Sequence, residues 1–500
     1  MKRVLLIFLI VLSANGCNHK NIQSNDKPEA ESPIRLHPKN PHYFLYKGKT
    51  LALISSAEHY GAFINMDFDY RKYLKTLAAD GMNYTRIFTG TYFEIPQKSF
   101  NIQNNTLAPT KESVITPWEV VIEPSGESKY DLSKWNNSYF KRLKEFMQIA
   151  AENDIIVEIT LFSSIYSDDH WNISPQNPAN NINVDTEISR KDIHTLNNEG
   201  FFNYQVDFVR KMVQELNEFD NLFFEIQNEP WADRAVAMYN IMNNEELKLD
   251  IWKINAHYAD KSAMIWQDSI ASIINLKEQK LKKRHLIAQN YTNYKMPIPM
   301  VSKHISIINF HYAWPEAVKW NYQYNKVIGF DETGFAGTEN IAYRRQAWKF
   351  MLSGGGLFNN LDYSFFAGHE DGLGKNNAPG GGSKILRKQL KGLSNFLHSF
   401  ELEKLKPNYT SVISSPGLIS YILSNDDETY AIYLRGIGTT STKLRLQTGK
   451  GIFKVTPFNT INCSFGQPTI IRSENGFIEI NVQIPNGELA LKIVRDKLNT

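Results

Sequence analysis

Eight short apolar runs, each followed by a longer stretch, constrain the fold of this chain more than any other feature. They fall at 51–55, 83–88, 155–161, 222–227, 285–289, 305–310, 326–330 and 356–361. Short apolar and β-branched runs of this length read as buried strands. The segments between them place apolar residues at helical spacing. Tyr139, Leu143, Phe146, Met147 and Ala150 share one face, as do Phe202, Val206, Val209, Val213 and Leu216. Such alternation requires a parallel sheet with helical crossovers. Eight strands in about 310 residues predict an α/β fold of the (β/α)8 TIM barrel type with enlarged loops. A doubly wound open sheet is the alternative, but the Gly-rich dinucleotide turn it often carries does not follow the first strand.

The barrel is expected over 35–402, opening with a hairpin at 43–46 and 50–54 around Lys47-Gly48-Lys49. Past a helix near 384–400, the pattern becomes short alternating runs at 417–423, 429–434, 443–446, 451–455, 477–482 and 489–494, separated by turn residues. They predict a small antiparallel β-sandwich over 403–500 with no catalytic cluster, expected to buttress the barrel.

The N-terminus bears on location. Lys2 and Arg3 precede nine apolar residues (4–12), then Ser13, Ala14, Asn15, Gly16 and Cys17. This is a basic n-region, a short h-region and a small-residue cleavage site, and nine residues are too few to span a bilayer as a helix. A cysteine directly after the small residues resembles a bacterial lipoprotein signal over 1–17. That resemblance implies lipidation at Cys17, a membrane contact through the lipid anchor, and residence in the bacterial cell envelope as an outer-membrane or periplasmic lipoprotein. An ordinary cleaved secretory signal is the alternative. Residues 18–34 are polar and aperiodic, as in a flexible tether. Cys463 then has no intrachain partner, which excludes a disulfide framework. Acids and bases nearly balance at a net charge of +3 with no basic block, so nucleic acid is not an expected partner.

Two predicted strands end in carboxylates. The run 222–227 leads into Asn228-Glu229-Pro230, and 326–330 leads into Asp331-Glu332 ahead of Thr333-Gly334. In a barrel, strands four and seven face each other across a narrow mouth, and active sites are built at that C-terminal end. Two converging carboxyl groups suit glycosidic-bond cleavage, in which one protonates the leaving oxygen and the other meets an oxocarbenium-like carbon. Glu332 is expected as nucleophile and Glu229 as acid and then base. Asn228 offers an amide to a sugar hydroxyl, or caps the next segment. Arg86, near the end of the second strand, can hold Glu332 ionised, or pair with another carboxylate such as Glu158. His311, Tyr312 and Trp314 follow the sixth strand, with hydrogen-bonding groups and a stacking surface for sugar. Glu58, His59 and Tyr60 after the first strand, and Asp362 and Tyr363 after the eighth, are further rim candidates. The long connections 89–137 and 162–198, rich in aromatics such as Tyr92, Phe93, Trp118, Tyr166 and Trp171, should wall the site and tilt the expectation slightly toward an open cleft, with a closed, exo-acting pocket as the near alternative.

This constellation, with Asn228-Glu229-Pro230 on the fourth strand, Glu332 after the seventh, Arg86 on the second and His311-Tyr312 after the sixth, resembles the cellulase-like glycoside hydrolases of the large retaining (β/α)8 clan. The resemblance covers about residues 35–400, and the C-terminal sandwich is similar to those appended to several such enzymes. It implies a retaining β-glycosidase acting on β-linked glycans of the β-glucan, mannan or xylan type, with no cofactor. The sequence departs from the pattern at 359–363, where many relatives place a tryptophan. A metal-dependent barrel hydrolase would need clustered His and Asp ligands, and His-x-His after the first strand is absent. No Gly-x-Ser-x-Gly elbow occurs. The rival from another class is a non-catalytic glycan-binding lipoprotein of the same fold, which has little reason to keep both carboxylates.

Overall fold

A computed structural model of the chain describes residues 32–241, 252–425, 428–436, 438 and 441–496. The signal segment, Cys17 and the tether as far as residue 31 lie outside the described residues. Ordered structure begins inside the stretch read as tether: Ile34 is buried, and its N–H donates to Asp220 O at 2.9 Å.

The strands are β1 (Leu53–Ala57), β2 (Tyr84–Phe88), β3 (Ile156–Ser163), β4 (Leu222–Asn228), β5 (Ile287–Asn293), β6 (Ile307–His311), β7 (Val327–Glu332) and β8 (Leu357–Leu361). From β2 to β8 each pairs in parallel with the next, and β8 pairs with β1, Leu357 opposite Leu53. Between β1 and β2 a side chain takes the place of a strand ladder. Asn83 accepts from Ile54 N at 2.9 Å and donates to Ala52 O at 3.0 Å. The nearly closed parallel sheet is a TIM barrel rather than the open-sheet alternative.

Seven helices pack round it: α1 (Tyr70–Ala79), α2 (Asn137–Glu152), α3 (Phe202–Leu216), α4 (Lys261–Glu278), α5 (Pro315–Asn321), α6 (Asn340–Met351) and α7 (Lys384–Leu397). Asp69 and Asn136 cap α1 and α2 by accepting from the first-turn N–H groups. The crossover from β5 to β6 carries no helix. Pro297 and Pro299 remove the donors a helix needs, and Asn321 holds the segment extended by accepting from Ile298 N and donating to Met296 O, both at 2.8 Å. The fifth run also starts later than expected. His285 leaves the ladder and instead bonds the Glu278 carboxylate and Phe219 O.

The N-terminal hairpin, with strands Arg35–His37, Asn40–Tyr46 and Lys49–Leu51, lies beneath the barrel. Its Phe44 and Tyr46 pack on an apolar layer made by one residue from every strand: Leu53, Tyr84, Ile156, Phe223, Ala288, Ile307, Val327 and Leu357. The enlarged connections bear hairpins of their own, Trp118–Ile122 with Ser128–Trp135 after β2, and Ala235–Asn240 with Asn255–Ala259 after β4.

All six C-terminal runs form strands, in two antiparallel sheets over their own apolar core. The larger sheet is continuous with the barrel core through Tyr433, Phe458 and Ala490. Tyr433 stacks on Trp348 of α6 at 5.3 Å, and buried Glu488 accepts from Arg344 at 2.7 Å and Arg345 at 3.1 Å. These contacts fit the buttressing expectation. Among the described residues no helix is long and apolar enough to cross a membrane.

Candidate active site

Two residues above the apolar layer, the strands carry Ser55, Arg86, Glu158, Glu225, Asn290, Asn309, Gly329 and Asn359, and every side chain among them is buried. Period two puts them on the inward parity of the same strands. Gly329 is required there, because a Cβ would run into the carboxamide oxygen of Asn309. Arg86 is the hub. Its guanidinium donates to Glu225 at 2.5 Å, Asn228 Oδ1 at 2.8 Å and Glu332 at 3.4 Å, and lies 3.6 Å from Asp331. Of the partners expected for Arg86, Glu332 is within reach, but the tightest ion pair is with Glu225, and Glu158 is instead bonded by Tyr84 and Asn309.

Glu229 and Glu332 come together above this layer. One carboxylate oxygen of each, and a ring nitrogen of His311, lie within 4.8 Å of one another. His311 Nδ1 is 2.8 Å from Glu229 and 3.5 Å from Glu332. Tyr312 donates to Glu332 Oε1 at 2.7 Å, Tyr60 to Glu332 Oε2 at 2.9 Å, and Tyr166 to Glu229 Oε2 at 2.8 Å. The backbone is strained at this rim. Tyr60, Glu229, Tyr294 and Tyr312 have φ of 61°, 46°, 56° and 54°, left-handed values that cost side chains about 1–3 kcal/mol each. Of the four, Tyr60, Glu229 and Tyr312 take part in the hydrogen bonds just described.

Electrostatics divide the carboxylates into two groups. Burial would raise Glu332, but the His311 imidazolium, Arg86 and the Tyr312 hydroxyl hold it well below the ordinary carboxylate range. Asp331 is likewise lowered by His311 and Arg86 against the effect of burial. Burial pushes Glu225 up to about 7 despite Arg86, and it raises Glu158 well above the usual value, reinforced by Glu225. His311 would be lowered by burial, but Glu332 and Asp331 raise it well above the usual imidazole value. Two cations, Arg86 and His311, thus stand beside two lowered carboxylates, Glu332 and Asp331, while Glu225 and Glu158 are pushed toward the neutral form.

The pocket over this pair has a volume of about 40 Å³ and is lined by His59, Tyr60, Phe88, Tyr92, Glu94, Phe100, Leu107, Tyr166, Asn228, Glu229, Tyr312, Glu332 and Phe335. That is far below the roughly 300–1,000 Å³ of ligand sites, so the walls stand close together over the carboxylate pair, where an open cleft was expected. The long connections supply its walls through Glu94, Phe100, Leu107 and Tyr166.

Other expectations need correction. Glu58 does not face the pocket. It is fully buried, accepts from Gly61 N and Ala62 N, and burial raises it to about 7, so it organises the turn after β1. Trp314 stays outside the lining, with Lys295 over its ring at 4.2 Å. Asp362 is spent on Arg387 at 2.6 Å and Ser56 at 2.8 Å. Asn228 lines the pocket, but its carboxamide is engaged by Arg86 and donates to Tyr166 at 2.8 Å. Glu225, Asp331 and Glu94 were not singled out from sequence. The available signal for Glu225 was a charge two residues after Phe223 on the inward parity of a barrel strand.

Two groups have the geometry of a metal site, Glu229-His311-Glu332 and Glu225-His311-Asp331. Both depend on His311, whose protonated ring has no lone pair to give, and the Arg86 guanidinium sits among the same carboxylates. The donor set suits proton chemistry better than a cation.

No family model matches the chain, and no curated protein matches it. Solved structures do. The chain is similar to a Bacteroides vulgatus ATCC 8482 protein described as a candidate glycoside hydrolase, at 12% identity over 94% of this chain and 83% of that one, TM-score 0.62. It is also similar to a glycoside hydrolase at 10% identity over 95% and 99% of the two chains, TM-score 0.60. A glycoside hydrolase family 5 protein from Bacteroides vulgatus ATCC 8482 matches at 10% identity over 94% of both chains, TM-score 0.59. At these identities the likeness is one of fold, a TIM barrel with a C-terminal β-sandwich, shared over nearly the whole length.

Proposed function

We propose that the chain is a retaining β-glycosidase in which Glu332 is the nucleophile and Glu229 the acid/base. The observation that carries this reading is the carboxylate separation. One oxygen of each group lies within 4.8 Å of the other, and a single His311 nitrogen reaches both at 2.8 and 3.5 Å, a close approach that suits double displacement, at about 5–5.5 Å between carboxyl groups, better than the roughly 6.5–9.5 Å that leaves room for an inverting water. The fold shared with glycoside hydrolases supports it.

In the first half-reaction a Glu332 oxygen bonds the anomeric carbon, the glycosidic C–O bond breaks, and the Glu229 proton goes to the leaving oxygen. In the second, Glu229 takes a proton from water as that water's oxygen bonds the anomeric carbon, and the ester to Glu332 breaks. The low proton affinity of Glu332 suits a good leaving carboxylate, and two tyrosine hydroxyls keep it oriented. The substrate is a β-linked glycan of the β-glucan, mannan or xylan type. The lipoprotein-like N-terminus supports a location at the cell envelope, in which case Cys17→Ser should release the protein into the soluble fraction.

Glu332→Gln and Glu229→Gln should each lower kcat on a cleaved aryl β-glycoside by about 10³-fold or more while the protein still binds glycan. A 2-deoxy-2-fluoroglycosyl fluoride should label the wild type on the peptide holding Glu332. Unaltered turnover in either variant, or a label elsewhere, would remove the assignment of these two residues, whereas glycan binding with neither turnover nor label in the wild type would leave the non-catalytic alternative.

A further inference from the structure

The end of the pocket nearest β1 and β2 is built differently from the reacting centre. His59 and Glu94 meet there, Nε2 to Oε1 at 3.2 Å, and the other Glu94 oxygen accepts from Asn105 Nδ2 at 2.5 Å. Burial would lower His59, but the neighbouring Glu94 and then Glu332 raise it above the ordinary imidazole value. Two donors in this end have no hydrogen-bond partner among the described residues: His59 Nδ1, on a side chain 7% exposed, and Tyr92 Oη, 1% exposed. Buried polar groups are nearly always satisfied, so unpartnered donors in a pocket point to a ligand that satisfies them.

This end is also closed. Thr106 and Leu107 lie directly on the backbone of Gly61, where a Cβ would collide with the Thr106 carbonyl, and Glu94 N donates to Leu107 O at 2.8 Å. The same loop is clasped to the connection after β8. Gln103 N donates to Asn377 O at 2.9 Å, Asn104 N to Asn376 Oδ1 at 3.0 Å, and Asn376 Nδ2 to Asn104 O at 2.7 Å. Phe100 caps the lining, edge-on to Tyr166 at 5.1 Å, from a loop whose Gln97, Phe100 and Asn101 all hold left-handed φ. A glycan chain cannot continue past two bridged loops.

We infer that His59, Glu94 and Tyr92 form a blind terminal-sugar subsite, so that the chain acts from the non-reducing end and releases single, neutral glycosyl units. The inference rests on the glycosidase reading above. The position is consistent with the mechanism, because Tyr60, the neighbour of His59, donates to the proposed nucleophile, which must sit beside the sugar being transferred. A carboxylate already held by the His59 ring and by Asn105 leaves no free cation there for a uronate. What it offers is an acceptor and donors for neighbouring hydroxyls, and these would fix an unsubstituted terminal sugar.

The test uses the full-length protein with para-nitrophenyl β-glycosides of glucose, mannose, xylose and galactose, and with borohydride-reduced β-linked tetrasaccharides of the same sugars. Early time points should contain only monosaccharide and the chain shortened by one unit. On the best glycoside, His59→Ala and Glu94→Gln should each lower kcat/KM by about 10- to 100-fold, and both should discriminate less than wild type against analogues deoxygenated on the terminal sugar. Thermal unfolding of each variant separates loss of recognition from loss of fold, and Glu94→Gln keeps the shape of the side chain. Internal cleavage products at early times, or deoxy discrimination unchanged in both variants, overturn the inference. If Glu332 is labelled and products are internal, the glycosidase reading survives and the subsite falls. If no glycoside is cleaved and no label forms, both fall.

Discussion

The closed end of the barrel interior and the layer above it are built by the same eight strands, two residues apart. Leu53, Tyr84, Ile156, Phe223, Ala288, Ile307, Val327 and Leu357 make an apolar floor on which the N-terminal hairpin packs. The next inward residues are Ser55, Arg86, Glu158, Glu225, Asn290, Asn309, Gly329 and Asn359, all buried and nearly all polar. The first layer gains from leaving water. The second loses several kcal/mol for each ion taken out of water and recovers it only where every group is paired. The floor can therefore fix the barrel cheaply, and the polar layer can spend stability on holding Glu332 ionised and Glu229 in place.

Breaking the polar layer should have the largest effect. Arg86→Met leaves the Glu225 and Asp331 carboxylates without their guanidinium, and removing one partner from a buried ionic network costs about 3–5 kcal/mol. The variant should unfold at markedly lower denaturant, and its folded fraction should have lost most of its glycosidase activity, since Glu332 loses a cation and Asn228 a donor. Stability close to wild type would mean that the layer is held by its neutral hydrogen bonds, and the contrast with the floor would go.

A smaller change in the floor sharpens the same contrast. Leu357→Ala should cost about 2–5 kcal/mol through lost burial and a residual cavity, read from chemical denaturation. Activity per folded molecule and its pH profile should not move, because nothing in the floor touches the pocket. A changed pH profile would show that the two layers are mechanically coupled.

This difference between the layers also explains what was legible in the sequence. Strand starts came within about two residues wherever a run was apolar, because burial and period two act locally. Glu229 and Glu332 were found because they end such runs. The charges inside the runs were harder to interpret. The partners Arg86 and Glu225 are 139 residues apart, and only barrel closure joins them. Asn83, an ordinary polar residue before β2, closes the barrel through its side chain, and nothing local announces that. The open cleft expected from the long connections becomes a pocket because Asn104 and Asn376 bond across 272 residues, a contact set by loop packing and not by composition. Glu58 and Trp314 were placed at the rim by their distance from a strand end. Distance along the chain does not say that Glu58 turns back to accept from Gly61 N and Ala62 N, nor which way Trp314 turns after the left-handed φ of Tyr312.

The smallest expected effect is a pH dependence confined to the polar layer. Burial raises Glu225 to about 7 from a carboxylate's ordinary 4.5 in the unfolded chain, so between those values the folded protein binds a proton that the unfolded chain has released. Stability from this group is fully present below about pH 4.5 and is lost as pH rises through about 7. Glu225→Gln removes that dependence. The other groups titrate in both proteins, including His42, which burial lowers to about 4 and which acts in the opposite sense. The informative quantity is therefore the difference in melting temperature between wild type and variant at a series of pH values. It should shift in favour of Glu225→Gln by a few degrees between pH 5 and pH 8, the direction in which wild-type Glu225 is forced to ionise beside Asp331. A shift of the opposite sign would mean that Arg86 outweighs burial and that Glu225 belongs with the ionised pair. The polar layer would then carry three anions against two cations, and the charge balance that distinguishes it from a merely polar core would have to be redrawn.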